Sequence, residues 1–110
     1  MRKNIKIIRK IEQEMEYAID FPIYRKHDIT DYNNCYPQDS HIIYSSIDAN
    51  LRAIHIEIEN ESKISIEIEG KYDFDGSDIE YHLGKGEHAS SREEFEVAIK
   101  KAKEIINSIL

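Results

Sequence analysis

Between Ile54 and Glu80 the chain alternates an apolar residue with a charged or polar one almost without a break: IHIEIENESKISIEIEGKYDFDGSDIE. A period of two turns one side of a strand to a core and the other to water. LRAIHIEIE (51–59) alternates from Ile54 and predicts a strand. Ile64, Ile66, Ile68, Tyr72 and Phe74 share even numbers with Gly70, which predicts one long strand, 63–75, bent at the glycine. Ile79, Tyr81 and Leu83 predict a last strand before Gly84-Lys85-Gly86, and HIIYSSI (41–47) predicts a short apolar one closed by the turn residues Asp48-Ala49-Asn50.

A period of 3.6 appears at both ends. Ser91 and Glu94 form a capping box that opens the stripe Phe95, Ala98, Ile99, Ala102, Ile105/Ile106 and Ile109. Acids in its first turns and lysines later suit the macrodipole, so the chain is expected to end on a packed helix. Over residues 4–20, Ile5, Ile8, Ile11, Met15 and Ala18 recur at helical steps, with Ile7 and Ile19 widening the stripe, and Phe21-Pro22 ends it. A helix is expected there too. Its charges oppose the dipole: Arg2, Lys3, Lys6, Arg9 and Lys10 precede Glu12, Glu14 and Glu16. Either tertiary packing tolerates this order, or a salt bridge to the acidic sheet or to a partner selects it.

YRKHDITDYNNCYPQDSH (24–41) has neither period and predicts an irregular segment. Cys35 with His27 and His41 has the elements of a thiol nucleophile and base, but no glycine or helix start sits beside the cysteine, which favours a passive thiol. Tyr24, Tyr32 and Tyr36 are candidate contact residues.

Pairing rules set the registers, because opposed residues share a face. In the first hairpin Ile58 faces Ile64, Ile56 faces Ile66 and Ile54 faces Ile68, across the loop Asn60-Glu61-Ser62. His55 then opposes Glu67, with a surface hydrogen bond as its expected role, and no glutamate opposes another. In the second, Gly76-Ser77 fits a two-residue turn that pairs Phe74 with Ile79 and Tyr72 with Tyr81. It also sets Asp75 against Asp78, Asp73 against Glu80, and His82 against Lys71. Opposed like charges are destabilising, so this acidic tip asks for a cause beyond folding. The tip has three accounts: a hard cation such as Ca²⁺ or Mg²⁺ on Asp73, Asp75, Asp78 and Glu80; a basic protein partner; or aspartates that merely favour turns. The spacing lacks the alternate ligands and distal glutamate of a calcium loop. A transition-metal site would need histidines to converge from distant segments.

Composition sharpens the picture. A chain of 110 residues with 40% apolar and 34% charged residues is expected to be one globular domain, 1–110. No apolar run reaches the ~18–20 residues of a membrane helix, and Glu12, Glu14 and Glu16 break any signal-peptide pattern, so a cytoplasmic location is expected. Cys35 is the sole cysteine, which excludes an internal disulfide. The net charge of −7 is concentrated: residues 1–56 carry eight basic and eight acidic side chains, 81–110 carry five of each, and 57–80 carry nine acids against Lys63 and Lys71. Such a field attracts basic partners and repels nucleic acid and anionic lipid.

The expected fold is α+β: an N-terminal helix, a three- to four-stranded antiparallel meander and a C-terminal helix. Both helices are expected on the isoleucine face, leaving the acidic face open. The last thirty residues, with SSREEFEVAIKKAKEI after a strand, resemble in general outline the end of HicB-type antitoxins. That resemblance rests on a capped amphipathic helix and implies no activity. The expected function is that of a non-enzymatic, inhibitor-like acidic binding protein, of immunity, antitoxin or anti-defence type, with no cofactor. Its expected partner is a basic protein, or a protein–nucleic-acid complex engaged through its protein part. The expected contacts are Glu57, Glu67, Glu69, Asp73, Asp75, Asp78 and Glu80, with Tyr32 and Tyr36 as aromatic anchors. The alternative is a carboxylate metal protein or metal-dependent enzyme built on the 73–80 hairpin, with His82 or His88. A homo-oligomer joining the basic start of the first helix to the acidic sheet of another copy is a third possibility.

Overall fold

The computed structural model describes residues 1–10, 13–30, 40–60, 63–74 and 78–110, with side chains throughout except at 8–10 and 13–15. The described strands are β1 (Arg2–Lys10), β2 (Gln13–Asp20), β3 (Ile23–Asp28), β4 (His41–Ile47), β5 (Ala53–Glu59) and β6 (Lys63–Glu69). The described helices follow them: α1 (Ile79–Leu83), a 3₁₀ turn (Gly86–His88) and α2 (Arg92–Ile109). β1 and β2 form one antiparallel sheet, and β3 to β6 form another in sequential order. The chain is α+β with its helices in the C-terminal part.

The expected N-terminal helix is a hairpin instead. Ile5 faces Tyr17, Lys3 faces Ile19 and Arg2 faces Asp20. Ile5, Ile7, Tyr17 and Ile19 point to a core, whereas Arg2, Asn4, Lys6, Glu16, Ala18 and Asp20 are exposed. A period of two therefore wins over the helical stripe, whose Ala18 lies on the wet side. Isoleucine suits a strand because its branched β-carbon costs χ1 freedom in a helix. The charge order that opposed a dipole is now cross-strand complementarity: Arg2 meets Asp20 at 3.1 Å and Lys6 lies opposite Glu16. The basic residues Arg2, Lys3 and Lys6, expected at the start of a first helix, lie on β1 instead.

β5 and β6 pair in the expected register, from Ala53 opposite Glu69 to Glu59 opposite Lys63. The expected long strand, however, stops at Glu69. The chain bends at Gly70 and Lys71, and Tyr72 and Phe74 cross to the other side of the sheet. The second hairpin is corrected as well: residues 79–83 are α1, not a strand. Asp78 has the shape to accept a turn's amide, and its carboxylate takes the Tyr81 N–H at 3.0 Å as the N-cap. Asp73 and Glu80 therefore do not face each other across a ladder, nor do His82 and Lys71. Gly76, Ser77 and Asp75 lie outside the described residues. Residues 24–28, expected to be irregular, are most of β3, where Ile23, Arg25 and His27 alternate with Tyr24 and Lys26.

Two cores flank the four-stranded sheet. On the even-numbered face α2 seals Ile56 beneath Phe95 and Ala98, with Tyr24, Tyr44, Ile54, Ile58, Ile64 and Ile99 around them. Ser91 caps this helix as expected, its Oγ accepting the Glu94 N–H at 3.1 Å. The last turns of α2 are not packed: Ile105, Ile106, Ile109 and Leu110 are exposed. On the odd-numbered face the β1–β2 hairpin and Tyr72 and Phe74 cover Ile23, Ile47 and Ala53. The helices therefore do not share one isoleucine face. α1 lies against β3, where Gly84 ends it at φ 64°, and a Cβ there would come within 2.5 Å of the Tyr24 carbonyl oxygen.

Candidate functional site

Beyond Ile23, Ile47 and Ala53, the odd face turns polar. The register lines up Arg25, Ser45, His55 and Glu67 across the four strands. A cavity of about 380 Å³ opens over this row, lined by Arg25, Ile43, His55, Glu57, Glu67, Glu69, Tyr72, Asp73 and Tyr81 among others.

Arg25 is 3% exposed. A buried cation needs compensation, and here aromatic groups supply it. Its guanidinium carbon lies 4.8 Å from the centre of the Tyr72 ring and 4.2 Å from that of Tyr81. Its N–H groups donate to the Tyr72 hydroxyl and, at 3.4 Å, to the Tyr81 hydroxyl. With its oxygen accepting from Arg25, the Tyr72 hydroxyl directs its own proton to Nδ1 of His82, 2.7 Å away. Burial raises the pKa of Tyr72 above the ordinary 10.0, against the opposing pull of Arg25. His27 stands edge-on to Tyr81 and His88, and burial, with His88 and Arg25 nearby, lowers its pKa below 6.5.

Two histidines reach diagonally across the ladder. His55 opposes Glu67, as expected, but its Nε2 donates to Glu69 at 2.5 Å, while Nδ1 meets Ser45 Oγ at 2.7 Å. His41 opposes Glu59 and bonds Glu57. Ser45, His55 and Glu69 have the composition of an acyl-transfer triad, yet Ser45 is 2% exposed and sits beneath the histidine. A nucleophile must reach its substrate, so this chain of bonds ties strands together.

Of the expected contact residues, the fold brings Glu57, Glu67, Glu69 and Asp73 around one cavity. It sends Asp78 to the cap of α1 and Glu80 to that helix, beside Gly86. Asp75, Tyr32 and Tyr36, like Cys35, lie outside the described residues. Among the described residues no group of three His, Cys, Asp or Glu side chains could hold a metal ion. Arg25 and Ser45 were not expected at a site, and Tyr72, Tyr81 and His82 were expected on a second hairpin rather than around Arg25. The alternation of Ile23, Arg25 and His27 was the available signal for the first of them. No helix among the described residues is long and apolar enough to cross a membrane. No known protein family, curated protein or solved structure matches this chain.

Proposed function

We propose that this chain is a non-enzymatic binding protein that receives a basic surface of a partner protein on the odd face of its four-stranded sheet. One observation carries the proposal: Glu57, Glu67, Glu69 and Asp73 surround a single cavity beside the Tyr72 and Tyr81 rings. A lysine or arginine side chain fits that lining, its stem on the aromatic wall and its charge among the carboxylates. Arg25 directs the incoming cation toward β5 and β6, away from its own charge. His41 and His55 hold Glu57 and Glu69 in place, so these carboxylates are oriented before a partner arrives. The finer form of the proposal, an inhibitor of immunity, antitoxin or anti-defence type, rests on the same acidic face.

Titration with two synthetic peptides of equal length, one rich in lysine and arginine and one rich in glutamate, tests it by amide chemical shifts. The basic peptide is expected to move resonances of β5, β6 and residues 71–73. Its affinity is expected to fall as added salt shortens the screening length from about 30 Å to about 8 Å. Combining Glu57→Gln, Glu67→Gln and Asp73→Asn should abolish the effect. Shifts caused by the acidic peptide, centred on Arg25, would overturn the proposal.

A further inference from the structure

The two edges of the four-stranded sheet are treated differently. β3 meets Ala89 through an antiparallel bridge at Arg25 and packs beside α1. β6 has no further strand among the described residues. It runs for seven residues, its pairing with β5 is uninterrupted, and it contains no proline. Such an edge offers a row of backbone donors and acceptors with no strand paired to it among the described residues, and its sequence blunts it only with the charges of Lys63, Glu67 and Glu69. Two of its three even side chains are also uncovered, Ile66 at 41% and Ile68 at 75% exposed, while Ile64 packs against the core.

We infer that β6 joins two copies of this chain, edge to edge and antiparallel, into one continuous sheet. The sequence KISIEIE complements itself about Ile66. A two-fold axis there sets Ile66 against Ile66, Ile64 against Ile68, Ser65 against Glu67, and Lys63 against Glu69, each of the last three twice. Apolar side chains meet on one face, and both lysines meet glutamates on the other. Neighbouring registers fail. A shift by one residue pairs isoleucines with polar residues, a shift by two in one direction sets Glu67 against Glu67, and a shift by two in the other leaves Ile68 and Glu69 without partners in β6. Only the register about Ile66 pairs isoleucine with isoleucine over the whole of β6 without opposing like charges.

Sedimentation analysis of the full chain is the test. The expected mass is twice the 12.9 kDa of one chain. Ile66→Lys would place two ammonium groups together at the axis and weaken dimerisation by about tenfold or more. Val97→Lys, on the exposed side of α2, should leave the dimer intact. Lys63→Glu should also weaken it, and adding Glu69→Lys should restore it by exchanging the partners of each pair. Far-UV circular dichroism confirms that each variant is folded. A monomeric wild-type chain, a dimer indifferent to Ile66→Lys, equal loss in Val97→Lys, or no rescue in a folded charge-swapped variant would each overturn the inference.

Discussion

On the even face of β5, Ile56 is 0% exposed beneath Phe95 and Ala98; one residue earlier, on the odd face, His55 is held between Ser45 and Glu69. The first environment depends on volume and apolar contact, which are insensitive to pH and salt. The second depends on charge, ring orientation and directional bonds, each conditional on a partner. The sheet thus gains its adhesion to α2 from one side and its chemical character from the other. Under the proposed function, a face that receives a partner stays open and is not sealed with hydrocarbon. It is instead braced by short polar ties that leave carboxylates at the surface.

The largest expected effect belongs to the sealed face. Ile56→Ala removes a fully buried side chain and leaves a cavity, at a cost of about 2–5 kcal/mol in chemical denaturation. Ile68→Ala, on the open part of β6, should stay within about 0.5 kcal/mol at low protein concentration. Equal costs would mean that α2 does not anchor the sheet. Next comes Arg25→Met, which keeps the stem but loses the bonds to two hydroxyls and the contacts to two rings, for about 2–3 kcal/mol. Arg25→Lys should recover little, because an ammonium lacks the planar stack. A stable Arg25→Met variant would show that the odd face merely tolerates its cation.

These two sites also show what pattern reading can and cannot reach. The β5–β6 register follows from parity together with the short connection between Glu59 and Lys63, which sets Ile58 against Ile64, Ile56 against Ile66 and Ile54 against Ile68. The cap and stripe of α2 were equally legible through Ser91. The N-terminal hairpin was not. Ile5, Ile8, Ile11 and Met15 satisfy a helical stripe, and the competing odd-numbered set of Ile5, Ile7, Tyr17 and Ile19 spans two strands, so neither half alone is long enough to decide. α1 was hidden by a similar coincidence: Ile79, Tyr81 and Leu83 alternate, but five residues suit a strand as well as a turn of helix. Its cap was decisive and was read as part of a charged tip. The cavity was legible in part. Glu57, Glu67 and Glu69 were placed on one face by parity alone, whereas Arg25 and Tyr72 reach it by a register and a chain reversal that no local pattern encodes.

A smaller effect lies at the junction of α1 with β3. Gly84→Ala forces a side chain into the left-handed region and against the Tyr24 carbonyl, for about 1–3 kcal/mol. It should also disturb the odd face, because Tyr24 adjoins Arg25 and α1 carries Tyr81 and His82. Asp78→Ala removes one capping bond from an exposed turn and should cost about 1 kcal/mol, with Asp78→Asn close to neutral. Thermal melts rank the two. If Asp78→Ala proved the costlier, the carboxylate would be serving more than the cap.

The subtlest contrast is with pH, where the two faces should separate cleanly. The Ile56, Phe95 and Ala98 cluster holds no group that titrates below neutrality. On the odd face His27 has a lowered pKa, so the unfolded chain takes up its proton first as pH falls. The stability it contributes is full above the ordinary value of 6.5 and is lost as pH drops through the folded value. Burial first, then His88 and Arg25, disfavour its charged form, and Glu87 and Asp78 oppose them more weakly. Away from the odd face, Asp28, bonded to Thr30, and Asp48, bonded to Arg52, are depressed and add a second loss below their ordinary 3.8. Urea denaturation across this range should therefore show two descending limbs. His27→Gln should flatten the upper one and leave the lower. An upper limb that survives the substitution would assign it to another histidine and detach His27 from the chemistry of the open face.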